Sequence, residues 1–400
     1  MQNMLDYLEW RGDLTFEQDG FNEVDNLIMS SLAYLEFDGI APSRTNRNAV
    51  SLSDIEKQNS AQIDTFALLG HNPLFKRLPE LFHKAARSQR YCGVKLSGYV
   101  NKINQKQSEQ FSAVIFSMNS GLHFIAFRGT DDTIIGWKED FQMSFRDTVP
   151  AQKQAVIYLN RVCPQLKGKL YAGGHSKGGN LAVYAAAYAD REVSDRLIAI
   201  YNDDGPGFQT KVIQSPGYRR IIDRICTLLP KSSIVGMLLE HSGKYCVIAS
   251  SETGMLQHNA FSWEVKGPRF VYDKGISKSS LTLNDTLRGW LEQMPLEQRE
   301  QFVNALFDIV QATGAKTVGE LSKEKLAIAI AMTKSFNHLD MRTRLHLINT
   351  ITLFFKESQK TIRKTIATDI DSLLAKKKAD RISLAKKVDG RSKNITQTAT

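Results

Sequence analysis

The chain has 400 residues, 42 % of them hydrophobic and 24 % charged, which is the composition of a globular protein and exceeds one ordinary compact core. No apolar run approaches the roughly 18 residues that span a bilayer, and the N-terminal Met1-Gln-Asn-Met-Leu-Asp carries acid where a signal peptide needs base, so a cytoplasmic protein is expected. The net charge of +10 does not point to nucleic acid. Between Lys360 and Thr400 eleven Lys or Arg face four Asp, and the rest of the chain is nearly balanced, without aromatic interleaving.

Residues 1–90 read as mostly helical, with apolar residues at helical spacing over 22–35 and again, more briefly, over 79–87. Two strands follow, 110–118 and 122–128, joined by the turn residues Asn119-Ser120-Gly121. A helix over 152–159 precedes the short β-prone run Lys169-Leu170-Tyr171-Ala172. Further strands are expected at 196–202, 224–229 and 245–250. Alternation of strands and helices implies an α/β fold with a mainly parallel sheet covered on both faces. Past residue 275 the β pattern stops, and 283–293, 296–312, 318–336 and 339–355 read as amphipathic helices. The expected organisation is a helical part of the main domain over 1–90, an α/β core over 91–274, an all-helical extension over 275–358 and a basic tail over 359–400. The tail reads as a solvated, fraying helix, and its mixed basic and apolar residues are also compatible with peripheral contact to an anionic membrane.

Chemistry concentrates at Gly173-Gly174-His175-Ser176-Lys177-Gly178-Gly179, between the run 169–172 and a small-residue helix. Strand, Gly-x-Ser-x-Gly, helix is the arrangement of a nucleophile elbow. A serine on so tight a turn needs neighbours without side chains, which Gly174 and Gly178 supply, and the helix N-terminus favours an oxyanion beside it. The same motif also serves as an ordinary βα turn, so supporting groups decide. His258 lies on the loop after the last core strand, where a general base belongs, with His241 a weaker candidate and His338 and His346 poor ones within the helical extension. Phe127-Arg128-Gly129-Thr130-Asp131 ends a strand and can supply an oxyanion donor from Thr130, beside the N–H of Lys177. Cys92, Cys163, Cys226 and Cys246 stand in no metal or redox spacing and read as free thiols; no cofactor or metal is expected.

Phe-Arg-Gly-Thr, then Gly136-Trp137-Lys-Glu-Asp140-Phe, then Gly-His-Ser-x-Gly-Gly resembles the motif order of class 3 lipases. With Asn202-Asp-Asp-Gly-Pro-Gly-Phe, Ser233-Ile-Val-Gly-Met-Leu and Gln257-His-Asn-Ala-Phe-Ser-Trp, the chain more closely resembles a bacterial lipase-like family without an established function, from the N-terminus to Val265. The resemblance implies an α/β-hydrolase fold, Ser176 as nucleophile, His258 as base, and Thr130 with Lys177 as oxyanion donors. Two departures stand out. Those lipases usually carry an apolar residue at the position of Lys177; a cation there is read either as a stabiliser of an anionic intermediate or substrate, or as an exposed lysine. They also carry their acid where Ser233 stands, so Asp204 is taken as the acid, with Asp203 in reserve. Ester hydrolysis on a small-molecule or lipid ester is the leading reading. The alternative is a weakly active or inactive scaffold that binds membrane or protein through its C-terminal region.

Overall fold

The computed structural model describes residues 2–43, 48–69, 76–104, 109–131, 133–143, 145–293 and 295–312, and positions 341, 344, 345 and 348. Its centre is an α/β arrangement with an eight-stranded mixed sheet. The strands are β1 (Val50–Ser51), β2 (Lys95–Asn104), β3 (Glu109–Ser117), β4 (Leu122–Phe127), β5 (Lys169–His175), β6 (Leu197–Asp203), β7 (Ile225–Pro230) and β8 (Tyr245–Ile248), each beside its successor in the chain. β1 to β4 pair antiparallel and β4 to β8 parallel. The change of direction follows from the connections. Short links such as the turn after Ser117 can join only antiparallel neighbours, whereas parallel ones need a crossover.

β3 and β4 are buried almost throughout and read in the sequence as apolar runs. β2 gives no such signal. Its register shifts between Ser97 and Val100, where Gly98 adopts φ 63°, and its C-terminal half is polar and exposed. A β-bulge of this kind breaks the period-2 pattern that announces a strand.

Helices cover both faces. On one side α1 (Met4–Arg11), α2 (Glu23–Leu32), α3 (Leu52–Leu69) and α4 (Leu78–Arg87) contribute to a core shared with β2 and β4. Asn3 and Asn22 start α1 and α2 with capping boxes closed by Asp6 and Asp25. Asp25 is also the partner of Arg90 in a fully buried ion pair, Nη2 to Oδ2 2.6 Å, and accepts from Tyr7 and Tyr91. Breaking such a pair leaves an uncompensated buried charge and costs about 3–5 kcal/mol. On the other side lie α6 (Pro150–Val162), α7 (Lys177–Tyr188) and, after the short helices α8 (Arg191–Asp195) and α9 (Thr210–Ile213), α10 (Pro216–Ile221).

Between β4 and α6 sits α5 (Ile134–Gln142), which has no counterpart among the expected elements; Thr133 caps it through Gly136 N–H at 3.2 Å. After the hairpin β9 (Val265–Lys266) and β10 (Arg269–Phe270) come α11 (Lys278–Glu292) and α12 (Leu296–Gln311), near the expected helices. α12 packs on α5, with Ile134 and Phe145 against Val303 and Phe307. The helix expected over 318–336 lies outside the described residues, as do the basic tail and all but four positions of the helix expected over 339–355. Among the described residues no helix is long and apolar enough to cross a membrane.

Candidate active site

Ser176 occupies the junction between β5 and α7 with φ 58° and ψ −133°, a sparsely populated conformation for a residue with a side chain. Its N–H donates to the Asp203 carbonyl at 2.8 Å, tying the turn to β6. Its hydroxyl caps no N–H of α7, so it is not consumed by the helix end. A Cβ at either Gly174 or Gly178 would strike the Phe127 carbonyl, and one at Gly129 would strike Tyr34 and lie 2.5 Å from the His175 carbonyl. Those contacts press the end of β4, and Thr130 after it, against the elbow.

The two aspartates that end β6 face different ways. Asp203 turns toward α2, where Asn26 Nδ2 donates to both its oxygens at 2.8 and 2.9 Å. Burial pushes its pKa up to about 8, against the pull of Asn26 and Ser30. Asp204 adopts φ 52° and its N–H is pinned to the Leu228 carbonyl at 2.8 Å. The left-handed turn swings its fully buried carboxylate to His258, whose Nδ1 meets Oδ2 at 2.6 Å. Asp203, the reserve acid, is therefore not His258's partner. His241, the second histidine candidate, donates Nε2–H to the Gly236 carbonyl at 2.5 Å, and burial depresses its pKa.

His258 lies beside the elbow. Its ring centroid is 4.6 Å from that of His175, and its carbonyl is 2.8 Å from His175 Nε2. In the free protein no hydrogen bond among the described residues joins Ser176 Oγ to His258. His175 is a group that motif reading treated only as part of the elbow. Burial first, then His258, pushes its pKa well down, so the ring is neutral. Tyr34 Oη, held protonated by burial, lies 3.1 Å from Nδ1 and donates to the His175 carbonyl at 3.3 Å. The His258 carbonyl can only accept, so it fixes the single ring proton of His175 on Nε2 and leaves Nδ1 facing the Tyr34 hydroxyl.

The other flank corrects the reading of Lys177. Its side chain is neither exposed nor directed at the serine. It is 1 % exposed, and Nζ donates to Gln110 Oε1 at 2.7 Å and to Glu139 Oε2 at 3.0 Å, with Asp140 Oδ1 at 3.7 Å. Burial alone would lower the ammonium's pKa, but Glu139 and Asp140 overcome it and hold it above the ordinary value. Glu139, also fully buried, accepts the Ala151 N–H at 2.8 Å and the Gln110 N–H at 3.2 Å. One ion pair thus binds α7, α5, β3 and the start of α6 together. The Lys177 main-chain N–H, at the first position of α7, has no intrahelical acceptor and remains with the elbow. Thr130 Oγ1 donates to Asp140 Oδ2 at 2.5 Å, so its hydroxyl is engaged and its amide is the group left to offer. Burial raises the Asp140 pKa to about 6, opposed by Lys177 and Thr130.

No curated protein matches the chain. Among solved structures it is similar to M37 lipase, with 16 % identity, 46 % of this chain and 69 % of that one covered, and a TM-score of 0.32. The Mbeg1-like family profile matches residues 85–308, which reaches past Val265 into α12 and begins within α4. With more than half its length inside that match, the chain belongs to the Mbeg1-like family.

Proposed function

We propose that the protein is a serine hydrolase of the α/β-hydrolase type that cleaves carboxylic esters through a covalent acyl-enzyme. The observation that carries this reading is the 2.6 Å bond from His258 to the buried Asp204, beside a serine held at φ 58°. In this reading Ser176 attacks the ester carbonyl and His258 takes its proton through Nε2. Asp204 holds the ring by Nδ1 and balances the imidazolium. The amides of Lys177 and Thr130 receive the oxyanion. General-base action contributes on the order of 10²–10⁴-fold and each oxyanion donor on the order of 10²–10³-fold. The Ser176–His258 bond closes on substrate, as such bonds commonly do in sites that are loose when empty. His258 then returns the proton to the leaving alcohol, and water repeats the sequence to release the acid. The helices α11 and α12 follow the hydrolase core, and α12 braces α5.

A fluorophosphonate probe and a panel of acyl esters test it. Wild-type protein is expected to be labelled and to turn over at least one ester, and Ser176→Ala to do neither. An unlabelled wild-type Ser176 would leave the scaffold reading in its place.

A further inference from the structure

We propose that Ser233 is a positioning residue for the Asp204–His258 pair, acting through the carboxylate and not on substrate; the inference rests on the hydrolase reading of that pair. Asp204 is wholly buried and its two oxygens are divided between two side chains. Oδ2 meets His258 Nδ1 at 2.6 Å, and Oδ1 accepts the Ser233 hydroxyl at 2.5 Å. A carboxylate gripped at both oxygens cannot rotate about its terminal bond without breaking one contact, so the second bond sets the direction of the first.

Ser233 has little freedom of its own. It is 1 % exposed, and its N–H is tied to the Pro230 carbonyl at 2.9 Å in the turn that ends β7. Opposite it, a Cβ on Gly236 would crowd both Asp204 Oδ1 and Ser233 Oγ, so the turn closes on the carboxylate without slack. The same turn reaches the base. Ser232 N–H donates to Gln257 Oε1 at 2.6 Å, and the amide of Gln257 donates to the Glu252 carbonyl at 2.8 Å. The buried Trp263 holds the Gln257 carbonyl at 2.9 Å. Acid and base come from different strand ends, and the turn from 230 to 236 is the piece that grips one by a side chain and the neighbour of the other by its backbone. A residue that cannot carry charge thereby serves the pair by orientation.

The test compares full-length Ser233→Thr and Ser233→Val, which have the same shape and differ in the hydroxyl, together with Ser233→Ala. Two readouts are taken: ester kcat and KM, and the low-field Nδ1–H proton signal of His258 in protein labelled at histidine. Thr is expected to keep both near wild type. Val and Ala are expected to lower kcat about tenfold or more with KM unchanged, the scale of one hydrogen bond to a charged group, and to weaken or lose the proton signal. If Val and Ala retain the His258 signal and kcat, the proposal is overturned. Failure of wild-type Ser176 to react with fluorophosphonate would sink the hydrolase reading instead, and the histidine signal would still decide whether Ser233 holds the pair. Should Ala not fold, the Thr and Val pair decides alone.

Discussion

The two flanks of Ser176 are held by different physics. On the flank of the proposed acid and base, Asp204, Ser233, His258 and His175 are joined by single hydrogen bonds, and the His258 side chain is 31 % exposed. On the flank of the proposed oxyanion donors, Lys177 and Glu139 form an ion pair inside the core and hold Gln110 and the start of α6. Groups of the first kind can be changed with little loss of fold, because what they hold is an orientation. Groups of the second kind cannot, because removing one charge strands the other where water does not reach it.

The contrast can be broken or sharpened by three sets of variants. Asp204→Asn is expected to have the largest effect on rate, a fall of about 10³–10⁴-fold in kcat with thermal unfolding close to wild type. Asp203→Asn, one residue away, is expected to stay within a few-fold of wild-type rate; equal losses at both positions would end the distinction between the two carboxylates. Lys177→Ala should act in the opposite sense, lowering unfolding free energy by about 3–5 kcal/mol in denaturant titrations. Below its melting temperature it should still react with fluorophosphonate, because the main-chain N–H at 177 survives the substitution. A further effect is one of pH. The folded pKa of Asp203 is raised to about 8 from 3.8, so the folded state keeps a proton that the unfolded chain releases. Its contribution is full below the unfolded value and is lost as pH rises toward the folded one. Asp203→Asn should flatten that part of the stability profile, and an unchanged slope between those limits would mean the carboxyl is ionised in the fold.

How much of this was legible follows from how local each requirement is. The elbow could be read because strand, glycine, serine, glycine and helix are consecutive, and His258 because its place after the last core strand is a matter of chain order. Asp203 and Asp204 could not be separated by pattern. The choice depends on one backbone angle, φ 52° at Asp204, and on Asn26 arriving from a helix at the other end of the chain. The place of Lys177 was hidden for the same reason, since its partner Glu139 is 38 residues distant and lies on a helix with glycine in its first turn. Ser233 was noticed as a missing acid. That it donates to the acid next door is a property of neighbouring parallel strands, which no spacing displays. The contact of His175 with a tyrosine 141 residues away is displayed by no spacing in the sequence.

Asn26 lies in α2 and Tyr34 just after it, ahead of the segment from 85 to 308 that matches the Mbeg1-like family. One anchors the strand end that receives the Ser176 N–H; the other holds the His175 carbonyl and faces its Nδ1. The unit that kinship delimits is therefore smaller than the unit that works. A fragment cut at residue 85, or a chimera joined there, would inherit every motif by which relatives are detected and leave behind two of the side chains that keep those motifs in place.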